Sequence, residues 1–263
     1  MTWRPRLVAL DIDGTCVGFD GVMTSGLRDV LVRVQAAGVP VTMVTGRSWH
    51  ATRPVVDALG LVAGQHVCSN GAVRVAYPPF SILGVRTFDA TDVVERVHRT
   101  HPRAAMAVEV LGTGYRVTRP FPIGELHGDI EIVEPGALLD GPVTRVIVRD
   151  PDANDGEFEA MVASLGLHDV SYFVGWTSWL DIAPTNVDKA LGLSEVCADL
   201  GIDAADVLAI GDGRNDIELL AWAGRGVALG DAPAIVREAA DAVTGTFADG
   251  GTVEELERWF PAV

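Results

Sequence analysis

The stretch Leu7-Val8-Ala9-Leu10-Asp11-Ile12-Asp13-Gly14-Thr15 decides how the rest of the chain is read. Its four consecutive apolar residues have the pattern of a strand buried on both faces. The run stops at two aspartates one residue apart. Carboxylates beside a core strand are costly unless a charge or a metal compensates them. They belong at the strand's C-terminal mouth, where open parallel sheets bind ligands.

Working outward, the same signal recurs. Val39-Pro40-Val41-Thr42-Met43-Val44 runs into Thr45-Gly46-Arg47, and His66-Val67-Cys68 into Ser69-Asn70-Gly71. Val207-Leu208-Ala209-Ile210 runs into Gly211-Asp212-Gly213-Arg214-Asn215-Asp216, and Val227-Ala228-Leu229 into Gly230-Asp231. Between the strands lie helical patterns: Leu27, Val30, Leu31 and Val34 at i, i+3, i+4, i+7, and Lys189–Leu200 closed by Gly201. Parallel strand–helix–strand connections bring such strand ends to one sheet edge. Asp11, Asp13, Thr45, Asp212, Asn215 and Asp216 are therefore expected to converge.

Between residues 85 and 183 the texture changes. Short alternating segments (Tyr115-Arg116-Val117-Thr118, Ile130-Glu131-Ile132-Val133, Val143-Thr144-Arg145-Val146-Ile147-Val148) mix with helices over Thr91–Thr100 and 157–165. Pro and Gly punctuate them. This is an α+β pattern with antiparallel strands. The expected architecture is a doubly wound α/β core from 1–84 and 184–263, with an inserted α+β domain over 85–183.

Composition narrows the functional classes. The 263 residues are 48% hydrophobic and 21% charged, enough for a sizeable core. A net charge of −16 argues against nucleic acid or an anionic membrane as partner. No apolar run approaches a membrane span, and the N-terminal run is too short for a signal peptide. Cys16, Cys68 and Cys197 lie far apart with no C-x-x-C pair, which suits a reducing cytosol; a cytoplasmic protein is expected. Oligomeric state leaves no mark. Against 19 arginines there is one lysine, Lys189. An ammonium reaches a crowded oxyanion as a point charge, which a guanidinium does not.

Several carboxylates at one strand mouth repel one another, and a hard divalent cation such as Mg²⁺ relieves this. The same ion neutralises phosphate oxygens. Phosphoryl transfer then needs an in-line nucleophile, donors around the oxygens and an acid for the leaving group. An Asp can attack to form an aspartyl phosphate, and a second Asp two residues on can handle the proton. Thr45 offers a hydroxyl, the turn at Gly46 offers N–H donors, and Lys189 offers the cation.

On these residues the chain resembles a haloacid dehalogenase superfamily phosphatase of the Cof-type branch, which carries a large α+β cap. Asp11-Ile12-Asp13-Gly14-Thr15 is similar to its first motif and Thr45-Gly46-Arg47 to its second. Lys189, within Asp181-Ile182-Ala183-Pro184-Thr185-Asn186-Val187-Asp188-Lys189-Ala190-Leu191, matches its third. Gly211-Asp212-Gly213-Arg214-Asn215-Asp216-Ile217 matches its fourth. Ser69-Asn70-Gly71-Ala72 also resembles the branch. Asn186 and Ala190 stand where glycines are common. The resemblance implies Asp11 as nucleophile and metal ligand, and Asp13 as general acid/base binding the metal through its carbonyl. It implies Asp212 and Asp216 at the metal, and Thr45, Gly46, Arg47, Lys189 and Asn215 at the phosphoryl group. The implied cofactor is Mg²⁺ and the implied partner a small phosphorylated metabolite, sugar phosphate or similar.

Each motif also has a blander reading. A calcium loop at Asp11 fails, because Cys16 and Val22 stand where Gly and Glu are needed. Asp212 and Asp216 in isolation suit a helix N-terminus, and Arg47 suits a surface ion pair as well as a substrate contact. His98 and His101 have no acid closing a ligand set, and Gly112-x-Gly114 lacks the third glycine of a dinucleotide loop. The lysine is followed by alanine, which excludes a Walker A loop, and no G-x-S-x-G occurs. A phosphomutase or phosphotransferase shares the same nucleophile, and a non-catalytic phospholigand-binding protein shares the fold. Selectivity is sought in the inserted domain, at Tyr115, Arg116, Arg119, His127 and Trp176.

Overall fold

The computed structural model describes residues 3–167, 170–174 and 178–262. In chain order its elements are β1 (Leu7–Leu10), α1 (Leu27–Ala36), β2 (Val41–Met43), α2 (Trp49–Leu59), β3 (Gly64–Cys68), β4 (Val73–Tyr77) and β5 (Ser81–Val85). Then come α3 (Thr91–Thr100), β6 (Ala105–Val110), β7 (Gly114–Val117), β8 (Asp129–Ile132), β9 (Val146–Arg149), α4 (Asp155–Ser164), β10 (Val170–Val174) and β11 (Trp179–Pro184). The chain closes with α5 (Lys189–Leu200), β12 (Val207–Gly211), α6 (Ile217–Trp222), β13 (Arg225–Ala228), α7 (Ala234–Ala239), β14 (Ala242–Val243) and α8 (Gly251–Trp259). These elements fall into two compact units. One comprises the residues through Arg47, Thr52–Gly84 and those from Asp188 onward; the other comprises Ser48–Ala51 and Val85–Val187.

The first unit is built on a five-stranded sheet in the order β14-β13-β12-β1-β2, parallel throughout. All four residues of β1 are fully buried, as a strand covered on both faces requires. The chain runs outward from β1 to β2 on one side and returns through β12, β13 and β14 on the other. β1 and β12 therefore flank the point where strand order reverses, the place where such sheets bind ligands. β3 adjoins this sheet through a parallel bridge between Val44 and Val67, and continues into the three-stranded sheet β3-β4-β5.

Two glycines bring α5 close to the turn after β3. A Cβ on Gly192 would meet Val67 Cγ1 at 2.5 Å and Gly71 Cα at 3.0 Å. A Cβ on Gly71, whose φ is +98°, would lie 1.9 Å from the Asp188 carbonyl. Asp188 caps α5 by accepting from the Leu191 N–H at 2.7 Å, so the helix begins at Lys189. The left-handed Asn186 (φ 57°) precedes it, a conformation that Gly and Asn tolerate best.

The second unit is a six-stranded sheet in the order β10-β11-β9-β6-β7-β8. Met106, Val108, Val146, Val148, Leu180 and Ile182 form one cluster with Val94 and Val97 of α3 and Phe158, Met161 and Val162 of α4. The expectation of antiparallel strands holds for every pairing but one: β7 and β8 run parallel. Segment 118–128 is long enough to carry the chain back to the start of β7 before β8 begins.

His66 on β3 is fully buried and accepts from the Met43 N–H through Nδ1 at 3.2 Å. Burial lowers its pKa from 6.5 to about 4. Below pH 6.5 the unfolded chain takes up a proton here that the folded chain refuses, so this stabilisation is present above 6.5 and lost towards 4. Urea unfolding of wild type and His66→Asn across this window should diverge in slope, the wild type falling faster by about 3 kcal/mol in total. Parallel curves would exclude His66 as the source.

Candidate active site

Asp11 follows β1 directly, and its N–H donates to the Ile210 carbonyl on β12 at 3.1 Å. Its side chain faces Lys189, whose Nζ donates to Asp11 Oδ1 at 2.7 Å and to Asp216 Oδ1 at 2.6 Å. Lys189 and Asp216 are completely buried, and Asp11 is 5% exposed. The other Asp216 oxygen accepts from the N–H groups of Asp212 (3.1 Å) and Gly213 (2.9 Å), so both its oxygens are engaged. Asp212 accepts from the Thr15 hydroxyl at 2.8 Å. A Cβ on Gly14 would lie 2.2 Å from an Asp212 carboxylate oxygen, so only glycine lets that carboxylate lean over the turn after β1.

One carboxylate oxygen from each of Asp11, Asp212 and Asp216 lies within 4.8 Å of the others. Hard anionic oxygens at this spacing suit a divalent cation of the Mg²⁺ type. Burial, above all, raises the Asp11 pKa; Lys189 opposes the rise, and Asp216, Asp212 and Asp13 add to it. Burial and then Asp216 push Asp212 up to about 7, against the Thr15 hydrogen bond and Lys189. Burial alone would lower Lys189, but Asp11 and Asp216 outweigh it and raise its pKa. Lys189 thus offsets part of the crowding among these acids.

Asp13 is turned elsewhere. Arg47 grips it with both arms, Nε to Oδ2 at 2.9 Å and Nη2 to Oδ1 at 2.5 Å. Arg47 is thus no simple surface pair. Its N–H donates to Thr45 Oγ1 at 3.1 Å, and its carbonyl accepts from the Ser69 N–H at 2.9 Å. Thr45 is buried at the end of β2, where its N–H donates to the Val67 carbonyl at 2.9 Å. Asn215 donates through Nδ2 to Asn70 Oδ1 at 2.9 Å. A Cβ on Gly46 would come 3.1 Å from that Asn70 oxygen and 3.4 Å from Asn215 Nδ2.

All nine residues singled out for the site lie in the first unit. Two further participants had no assigned role in the sequence reading: Asn70, which holds Asn215, and Thr15, which holds Asp212. Ser69-Asn70-Gly71 carries a turn signal in the sequence, and Ser69 and Asn70 both take a left-handed φ (50° and 52°). Of the residues named for selectivity, Tyr115 is buried in the second unit, its phenol pushed up to about 12 by burial, with Arg145 opposing. Arg145 pairs there with Asp181 at 2.6 Å. Arg116 pairs with Glu131 and Asp140, Arg119 donates to the Pro102 carbonyl, and His127 is exposed. Trp176 lies outside the described residues.

A model of the haloacid dehalogenase-like hydrolase family matches residues 8–110 and 124–256. The chain is 30% identical over 237 residues to a phosphoglycolate phosphatase of Methanopyrus kandleri, covering 90% of this chain and 89% of the relative. It is 26% identical to a 5-amino-6-(5-phospho-D-ribitylamino)uracil phosphatase of Bacillus subtilis, over 97% and 95% of the two chains. A haloacid dehalogenase-like hydrolase from Bacteroides thetaiotaomicron superposes with a TM-score of 0.83 at 23% identity, over 98% of this chain and 100% of that one. No helix among the described residues is long and apolar enough to cross a membrane.

Removing the shared ammonium leaves two buried carboxylates without their cation. Lys189→Met should lower unfolding free energy by about 3–5 kcal/mol in metal-free buffer, measured by urea denaturation. An unchanged midpoint would show that the bridge carries no stability.

Proposed function

The chain belongs to the haloacid dehalogenase-like hydrolases, and from that premise we propose that it hydrolyses small phosphate monoesters with Mg²⁺, through an aspartyl phosphate on Asp11. The observation that carries this reading is the buried Lys189 ammonium between Asp11 and Asp216, with Asp212 beside them. A carboxylate, a cation and further anionic oxygens thus meet at the reversal point of a parallel sheet, which supports this reading.

In this reading an Asp11 oxygen attacks phosphorus as the bond to the leaving alkoxide breaks, and Asp13 gives that alkoxide its proton. Asp13, now a carboxylate, takes a proton from water; the water oxygen attacks phosphorus, and the bond to Asp11 breaks, releasing inorganic phosphate. Lys189, the Thr45 hydroxyl, the N–H groups of the Gly46 turn and the Asn215 amide hold the phosphoryl oxygens. Asp11, Asp212 and the Asp13 carbonyl would hold Mg²⁺, while Asp216 orients Lys189 and the amides of the β12 turn. Bound Mg²⁺ would neutralise the phosphoryl oxygens and the crowded acids. The second unit would select the alcohol.

Phosphate release with Mg²⁺ from a panel of sugar, polyol, nucleotide and 2-phosphoglycolate monoesters tests this, ranked by kcat/KM. Turnover should vanish in Asp11→Asn with the circular dichroism spectrum unchanged. It should also vanish on chelation and return with Mg²⁺. Retained turnover in Asp11→Asn would overturn the nucleophile, and phosphate passing to an added sugar rather than to water would make the enzyme a phosphotransferase.

A further inference from the structure

We propose that Arg47 is the positioning residue for Asp13: its fork fixes the direction from which Asp13 delivers a proton and keeps that carboxylate out of the cation cluster. This rests on the phosphatase reading and replaces the expectation that Arg47 binds substrate phosphate.

Four acids stand at the mouth of the sheet, and they are divided. Asp11, Asp212 and Asp216 come within 4.8 Å of one another; Asp13, two residues from Asp11, is outside that set. Its side chain is 43% exposed, far more than those of the three clustered acids. A carboxylate so placed can turn into water or fall in with the neighbouring acids and the cation they attract. Either motion removes it from the leaving oxygen.

Arg47 prevents both. It binds both Asp13 oxygens at once, and a planar bidentate pair fixes orientation as well as distance. Each carboxylate oxygen has two acceptor directions, so the fork leaves one open on each for proton traffic. The arginine's backbone is held on both sides of its Cα, by the Thr45 hydroxyl at its N–H and by the Ser69 N–H at its carbonyl. Thr45 thereby links the phosphoryl-holding turn to the direction of Asp13.

The proton step is the one this arrangement serves. As the Asp11 oxygen bonds to phosphorus, the bond to the departing oxygen breaks, and the proton moves from the Asp13 carboxyl to that oxygen. An alkoxide needs the proton to leave; p-nitrophenolate leaves as a stable anion. Asp13's base role in the second step is common to both esters, so the split is read in the first step, as release of the alcohol in a single turnover. There a residue that acts through Asp13 affects alkyl esters and spares aryl esters. A phosphate-binding residue affects both equally and raises KM.

The experiment compares wild type, Arg47→Ala and Arg47→Lys on p-nitrophenyl phosphate and on the best alkyl monoester of the panel, with folding checked by thermal melting. For Arg47→Ala, the single-turnover rate of alcohol release from the alkyl ester should fall by roughly 10²-fold, the scale of acid–base catalysis, with a loss on the aryl ester at least ten-fold smaller. Arg47→Lys keeps the charge but not the fork, and should show the same selective loss; it also decides the matter if the alanine variant does not fold. Equal losses on the two esters, a rise in KM alone, full recovery by lysine, or no loss at all would each overturn the assignment. Wild type silent toward both esters would bring down the phosphatase reading, and this assignment with it.

Discussion

A completely buried ammonium shared by two carboxylates is the constraint on which the first unit depends. Lys189, Asp11 and Asp216 come from the start of α5, the end of β1 and the turn after β12, the first two 178 positions apart in sequence. Desolvating three charges is tolerable only if all remain in contact, because losing one strands the others. The close approaches of Gly71 and Gly192 follow from it: they let α5 start near the turn after β3, so that its first residue reaches the sheet edge. The Asp188 cap fixes where the helix begins, and thereby which residue comes first.

From that bridge a single chain of contacts runs across the site. Asp216 passes from the ammonium to the Asp212 and Gly213 amides. Asp212 passes to the Thr15 hydroxyl, and the Thr15 carbonyl accepts from the Thr252 hydroxyl at the start of α8. The turns after β1 and β12 are thus locked to each other and to the C-terminal helix. A second chain joins Asn215 to Asn70 across the turn at Gly46. Rigid turns on parallel strand ends hold a charged constellation more firmly than long loops would.

The parallel sheet was legible because its strands announce themselves twice, by continuous apolar runs and by the abrupt polar residues that end them. Convergence of Asp11, Asp13, Thr45, Asp212, Asn215 and Asp216 followed from topology alone, since parallel connections leave no other edge for strand ends. β4, β5, β6, β10, β11 and β14 carry no such double signal. Trp179–Pro184 holds a buried aspartate among its apolar residues, and the Arg145 partner that makes Asp181 tolerable is visible only in three dimensions. Asn70 went unassigned for a similar reason: a left-handed asparagine in a turn satisfies a local rule, and its hold on Asn215 spans 145 residues. Arg47 could be read as a surface charge or a substrate contact, but its partnership with Asp13 depends on the angle at which β2 delivers it.

Charge separates what the fold has settled from what it leaves to a ligand. Among the described residues, the cations paired with the four acids Asp11, Asp13, Asp212 and Asp216 are Lys189, on Asp11 and Asp216, and Arg47, on Asp13. With every group ionised, that constellation keeps a formal excess of two negative charges, the charge a divalent ion cancels. Burial first, and then the neighbouring Asp216, push Asp212 up to about 7, so crowding adds to what desolvation begins. Arg47 takes its share of the positive charge to Asp13 at the exposed rim, so the uncompensated part of the excess rests on the three acids within 4.8 Å of one another. Two further cations at the site would remove this deficit, and with it the electrostatic reason to attract a divalent ion. The single lysine of this chain is placed so that it satisfies the buried core while leaving that deficit in place.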